Sequence, residues 1–252
     1  MPLMRFPWSR RSAVPDDWRE LAARHVADWG TYDPPDQERL GALMAELIDG
    51  HRWEPARGFE LTDRMRVVIA IQASRLVLGL EGGTDWYERI TTIVVHRSVL
   101  RFDRVEPGPV EGTEECGVVH LDGQTSYRGP VVISWDAASR NARHPTRGRD
   151  VVMHEFAHVL DMADGVVDGT PPLPPSQLER WVDVFTDAFD RLEEHGSEVL
   201  DDYAGTDAGE FFAVSTETFF TRPLQLAEAE PELYDLLRAF YRQDPAAAAT
   251  DR

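Results

Sequence analysis

The residues best suited to chemistry lie in Asp150-Val-Val-Met-His154-Glu155-Phe-Ala-His158-Val-Leu-Asp161-Met-Ala-Asp164-Gly165, which carries His-Glu-x-x-His inside an apolar run. On an α-helix, positions four apart lie one turn apart on one face, so His154 and His158 can offer two nitrogens to one metal ion. Glu155 sits beside that face, where a carboxylate can take a proton from metal-bound water. The same residues would also serve as plain polar groups on a solvated face. The helical ends argue against that: Asp150 suits an N-cap and Gly165 a left-handed C-terminal residue. Val152, Phe156, Val159 and Ala163 form an opposite, packing face. A catalytic metal needs a third protein ligand and an open position.

A second segment offers that ligand: Asp201-Asp-Tyr203-Ala-Gly-Thr-Asp207-Ala-Gly-Glu210-Phe-Phe-Ala-Val-Ser-Thr-Glu217-Thr-Phe-Phe220. Asp207 can cap a helix running to about Thr221, with Pro223 beyond it. Glu210, Ala213 and Glu217 share one face of this very aromatic helix. A carboxylate is costly in such company unless it is paired or bound to metal. Spacing does not separate Glu210 from Glu217 as the third ligand, and Asp164 and Asp207 are further candidates. Glu210 also fits a simpler role, as the partner of Asp207 in a capping arrangement. The metzincin pattern fails, because Asp161 replaces its glycine and Asp164 stands where its third histidine would be.

These two segments together resemble the Mlc titration factor A family of zinc-dependent peptidases, of gluzincin type. The resemblance extends to Pro7-Trp8, Gly58-Phe-Glu-Leu61, Gly129-Pro-Val-Val-Ile-Ser-Trp135 and Phe240-Tyr-Arg-Gln-Asp-Pro245, in the same order along nearly the whole chain. It implies an α+β, zincin-like metallopeptidase, mainly helical, with a small mixed sheet preceding the His-Glu-x-x-His helix. It implies one Zn²⁺ per chain, held by His154, His158 and Glu210, with Glu155 as general base. Tyr203 would donate a hydrogen bond to the oxyanion. Glu217 then falls behind the metal ligands, orienting a histidine or tyrosine from one turn away. Aminopeptidase activity on short peptides is the implied reaction. The alternative it carries is a non-catalytic or dual-role regulator that binds and titrates a transcriptional repressor.

The rest of the chain must position these groups. Residues 1–35 read as an irregular N-terminal arm, with a short helix around Asp17–Asp28 and with Trp8, Trp18 and Trp29 packed on the body. Residues 36–243 read as one metallopeptidase domain, and 244–252 as a disordered tail. Leu40, Leu43, Met44, Leu47 and Ile48 mark an amphipathic helix ended by His51–Pro55. Thr62 to Gly79 brackets a buried helix, and Ile90–Val95 is rich in β-branched residues, as a strand is. Residues 103–117, with Glu111, Glu114 and Glu115, read as a solvated loop. Gly117–Leu121 and Thr125–Tyr127 read as strands about an Asp122-Gly123 turn, before Val131–Trp135. An edge of this sheet could pair with an extended peptide. Arg140–Arg149 reads as a basic loop. Ser176-Gln-Leu-Glu179 has the form of a capping box, opening a helix with Leu178, Trp181, Val182, Phe185, Phe189 and Leu192 as its core stripe. His96, His120 and His195 read as structural.

Composition bounds the function. The net charge is −19, and none of the 26 positive side chains is a lysine. Such acidity argues against nucleic acid or anionic membrane as a direct partner, and lysine chemistry is excluded. Cys116 is the only cysteine, so no intrachain disulfide forms. No stretch approaches the length of a membrane span, and Met1–Arg11 lacks the apolar core of a signal peptide. A cytoplasmic monomer acting on peptides is the expectation.

Overall fold

The structure, a computed structural model, describes residues 13–98 and 129–250, and between them the backbone of residues 100–107, 114–121 and 123–124. Trp8, Glu111 and Thr125–Tyr127 lie outside the described residues, and Cys116 and His120 are placed only by their strand positions.

Helix α1 (Trp18–His25) leads to a short turn carrying Trp29, and the Trp18 and Trp29 rings meet edge to face at 5.9 Å. Helix α2 (Pro34–Gly50) starts where Asp33 accepts from the Asp36 N–H at 2.8 Å, with proline in its first turn. It buries Leu40, Leu43, Met44, Leu47 and Ile48, as the spacing predicts. Trp18 covers α2 at Gly41, where a Cβ would come within 2.2 Å of the indole. Helix α3 (Asp63–Val77), capped by Thr62, is buried on almost every side and forms the centre of the core.

Between α2 and α3, Arg52–Pro55 form a strand, β1, where the sequence suggests only a helix end. Four residues ending in proline carry too short a pattern to stand out; pairing with β2 (Thr92–His96) makes the strand. Residues 103–117 are not a plain loop either. Leu100–Pro107 (β3) and Glu114–Leu121 (β4) form an antiparallel ladder from Leu100↔Leu121 to Pro107↔Glu114. Backbone groups make that ladder, so acidic composition conceals it. Gly117–Leu121 thus pairs with β3, and the Thr125–Tyr127 half of the hairpin expected about Asp122-Gly123 lies outside the described residues. Gly123–Gln124 (β5) pairs antiparallel with β6 (Val131–Ser134).

The resulting mixed sheet runs β1-β2-β6-β5, with β1, β2 and β6 parallel. Ile93 lies opposite Val131 and Val95 opposite Ile133, and all four are buried. The fold is α+β and mainly helical.

After β6 the chain enters α4 (Trp135–Arg143), in place of the first part of the expected basic loop. Ser134 caps it, and it buries Trp135, Ala138 and Ala142. A face made mostly of alanine gives a weak periodic signal. Helix α5 (Val151–Asp161) carries the histidines and packs against α3, α7 and β6. Helix α6 (Pro175–His195) begins at proline, so Ser176 falls inside its first turn and the expected capping box is absent. It buries Trp181, Phe185, Ala188 and Leu192, whereas Leu178 and Val182 are exposed because the contact stripe is narrower than the apolar one.

Helices α7 (Ala208–Thr221), α8 (Pro223–Ala229) and α9 (Pro231–Tyr241) complete the core. Residues 245–250, expected in a disordered tail, form α10 (Pro245–Thr250). The Tyr234 hydroxyl holds it in place, donating to Asp244 at 2.7 Å and accepting from the Ala246 N–H at 2.9 Å. Among the described residues, no helix is long and apolar enough to cross a membrane.

Candidate metal centre

The roll of α5 is fixed by its N-cap and by its buried face. Asp150 accepts from the Val152 and Met153 N–H groups at 3.0 and 3.1 Å. Val152, Met153, Phe156 and Leu160 are fully buried, which turns His154 and His158 toward α7. Their rings stand nearly perpendicular, with centroids 4.8 Å apart. On α7, Asp207 accepts from the Glu210 N–H at 2.9 Å. The cap therefore uses the Glu210 backbone and leaves its carboxylate to face the histidines.

Three ligand atoms close a small triangle. His154 Nε2 lies 3.2 Å from His158 Nε2, and Glu210 Oε2 lies 3.0 and 3.4 Å from the two nitrogens. Donors bound tetrahedrally to one zinc at its usual bond lengths are spaced by about 3.3 Å. Glu210 Oε2 is also buried, without a hydrogen bond of good geometry among the described residues. An imidazole pair and a carboxylate oxygen left without a hydrogen bond, at this spacing, form a donor set fit for a metal ion.

Glu217 lies two turns further along α7 and meets the other side of the same imidazole. Its Oε1 is 2.7 Å from His154 Nδ1, and its Oε2 accepts from the Asp150 N–H. Burial opposes a positive charge on His154, but the carboxylates of Glu210 and Glu217 outweigh it and hold its pKa well above the usual imidazole range. For Glu210 burial acts upward, and the two histidines reverse it, holding the carboxyl well below its usual range.

Tyr203 sits on the turn Asp202–Gly205 and donates through its hydroxyl to Glu210 Oε1 at 3.1 Å. Partial burial, then the Glu210 charge, pushes its pKa up to about 12. The phenol thus stays protonated, a donor, at neutral pH. The tyrosine thus contacts the ligand triad through Glu210. Glu155 is buried, and it lies near enough for its charge to be felt by both His154 and Tyr203.

The other candidates are engaged elsewhere. Asp164 closes a local turn, accepting from the Val166 N–H at 2.9 Å, and Asp207 is the α7 cap. His96 is buried in β2, its Nδ1 2.5 Å from the Ser98 carbonyl oxygen. Two groups near the site are given no role from the sequence. Asp161 is fully buried and accepts from the Gly169 N–H at 3.1 Å. Arg149 pairs with Asp201 across two loops.

A model of the family described as glucose-regulated metallo-peptidase M90 matches residues 4–242. The chain belongs to this family. M90 membership places it among metallopeptidases, in keeping with the triad. It is 29% identical over 253 residues to Mlc titration factor A of Edwardsiella ictaluri, covering 96% of this chain and 94% of that one. The homologue of the same name from Serratia proteamaculans is 28% identical over 260 residues, covering 97% and 95%. A protein of Synechocystis sp. described as uncharacterised is 30% identical over 237 residues, covering 92% and 86%.

Proposed function

We propose that this M90 protein is a zincin-like zinc peptidase, with the metal held by His154, His158 and Glu210. The observation that carries the reading is the triangle of two Nε2 atoms and one buried carboxylate oxygen, with edges of 3.2, 3.0 and 3.4 Å. When bound there, zinc supplies a Lewis acid for the scissile carbonyl and acidifies water. Glu155 takes the proton of the attacking water and passes it to the leaving amine. Tyr203 shifts its hydrogen bond from Glu210 to the developing oxyanion, an interaction complete only in the transition state. Its raised pKa suits it to donate this hydrogen bond and to retain the proton. Glu217 holds the His154 ring through Nδ1, so that Nε2 carries the lone pair.

Aminopeptidase action on short peptides, in the cytoplasm and by a monomer, is the finer form of this proposal. A second reading rests on the name Mlc titration factor A: the chain binds a transcriptional repressor. The Glu155 and Tyr203 arrangement favours hydrolysis, since a structural zinc needs neither.

The test compares zinc content and peptide hydrolysis in Glu155→Gln, Glu210→Ala and Glu217→Ala. Glu155→Gln is expected to keep zinc and lose turnover, and Glu210→Ala to lose both. Peptide cleavage by Glu155→Gln would sink the mechanism. Zinc lost from Glu217→Ala but retained by Glu210→Ala would overturn the ligand assignment.

A further inference from the structure

We infer that Arg149 and Asp201 form a latch that positions the Tyr203 turn against the metal helix. Tyr203 is 51% exposed, so burial of its own ring does little to fix it. Ala204 is the buried residue of that turn. Asp201 supplies a directional tie: its Oδ1 accepts from the Tyr203 N–H at 3.2 Å, and its Oδ2 accepts from the Arg149 guanidinium. Both bonds are charge-assisted, and one carboxylate makes them together.

Arg149 is itself well anchored. It directly precedes Asp150, the cap of α5. Its carbonyl accepts from Asn141 Nδ2 at 2.8 Å, and Asn141 Oδ1 accepts from the Val151 N–H at 3.2 Å. The Arg149 backbone is thereby tied to α4 and to the first turn of α5, while its side chain reaches the Tyr203 turn. A parallel tie runs beside it. Arg222 lies against Gly148, where a Cβ would come within 2.9 Å of its Cδ, and donates to the Val199 carbonyl at 3.4 Å. The loop before the histidines and the loop before the tyrosine are joined twice.

For its kinetic consequence this inference rests on the peptidase reading. A hydroxyl that acts on a developing oxyanion is sensitive to displacements of about 1 Å, which cost up to about 100-fold in rate. The exposed Arg149–Asp201 pair contributes little to global stability. Its loss belongs in turnover and local dynamics, and Arg149 and Asp201 are positioning residues.

Arg149→Ala and Asp201→Asn are expected to bind zinc as the wild type does and to melt with it. Their kcat falls roughly tenfold or more with KM little changed, and Arg149→Lys restores part of the loss. In a Tyr203→Phe background, Arg149→Ala costs nothing further; an undiminished effect there overturns the latch. Hydrogen exchange on metal-stripped protein gives a second readout. Residues 201–206 are expected to exchange faster in both variants while residues 151–161 stay protected, and unchanged protection of 201–206 overturns the proposal. A wild type that cleaves no peptide, with exchange at 201–206 still quickened in Arg149→Ala, sinks the peptidase reading and supports the latch.

Discussion

His154 is held by carboxylates on both ring nitrogens, Glu210 on Nε2 at 3.0 Å and Glu217 on Nδ1 at 2.7 Å. The two contacts do different work. In the proposed zinc site the first contact would give its place to the metal, and the second would set the ring's tautomer and angle. Removing such a ring partner typically costs 10- to 100-fold in metal affinity. Glu217→Gln is therefore expected to weaken zinc binding by about that factor in a chelator competition, with the fold retained. Unaltered affinity would remove Glu217 from any role at the ring. Asp161 gives a prediction about pH. Burial, opposed by the Gly169 N–H, pushes its pKa up to about 6 from 3.8. The folded state thus holds this proton more tightly than the unfolded chain. The associated stability is present below pH ~4 and is lost as pH rises through about 6. In metal-free protein, Asp161→Asn should gain on the wild type across that window, by up to about 3 kcal/mol. Urea titrations at pH 4, 6 and 8 measure the gap; a constant gap would show that Asp161 titrates normally.

Helices α5 and α7 make the site by where they cross. Glu210 and Glu217 are two turns apart, about 10 Å along the helix, and His154 projects between them. This explains what the sequence discloses. His154, Glu155 and His158 lie on one element, where spacing alone makes a pattern. The choice between Glu210 and Glu217 depends on which turn of α7 faces which ring nitrogen, a tertiary fact that spacing leaves open. Family resemblance, not periodicity, points to Glu210. Helices α2, α3 and α7 are legible because large apolar residues recur at helical spacing beside recognisable caps. Strand β1 and helix α4 are not, one being four residues long and the other burying chiefly alanine. Helix α6 shows a pattern wider than the contact it serves. Trp181 is 2% exposed and its Nε1 donates to the Gly169 carbonyl at 3.1 Å, whereas Leu178 is 44% exposed. Trp181→Ala should cost about 3–5 kcal/mol by chemical denaturation, and Leu178→Gln no more than about 0.5 kcal/mol. Comparable costs would mean that α6 packs by the whole apolar stripe after all.

The whole molecule carries 45 acidic against 26 basic side chains, a net charge of −19. Folding compresses that charge, so self-repulsion opposes the compact state. Salt acts on this repulsion and on the ion pairs with opposite signs. The Debye length falls from about 30 Å at 0.01 M to about 8 Å at 0.15 M, which removes most of the long-range repulsion between exposed carboxylates. Contact pairs such as Arg149–Asp201 weaken too, but exposed pairs contribute at most about 1 kcal/mol each. The buried Arg75–Asp28 pair, at 2.9 Å, is shielded from the change. Repulsion summed over the surface outweighs a few exposed pairs. The melting temperature of metal-stripped protein is therefore expected to rise between 0.01 and about 0.15 M sodium chloride. Hydrogen exchange at residues 201–206 should quicken over the same range, as the latch is screened. A melting temperature that falls with added salt would mean that specific ion pairs, rather than net charge, dominate the electrostatics of this fold.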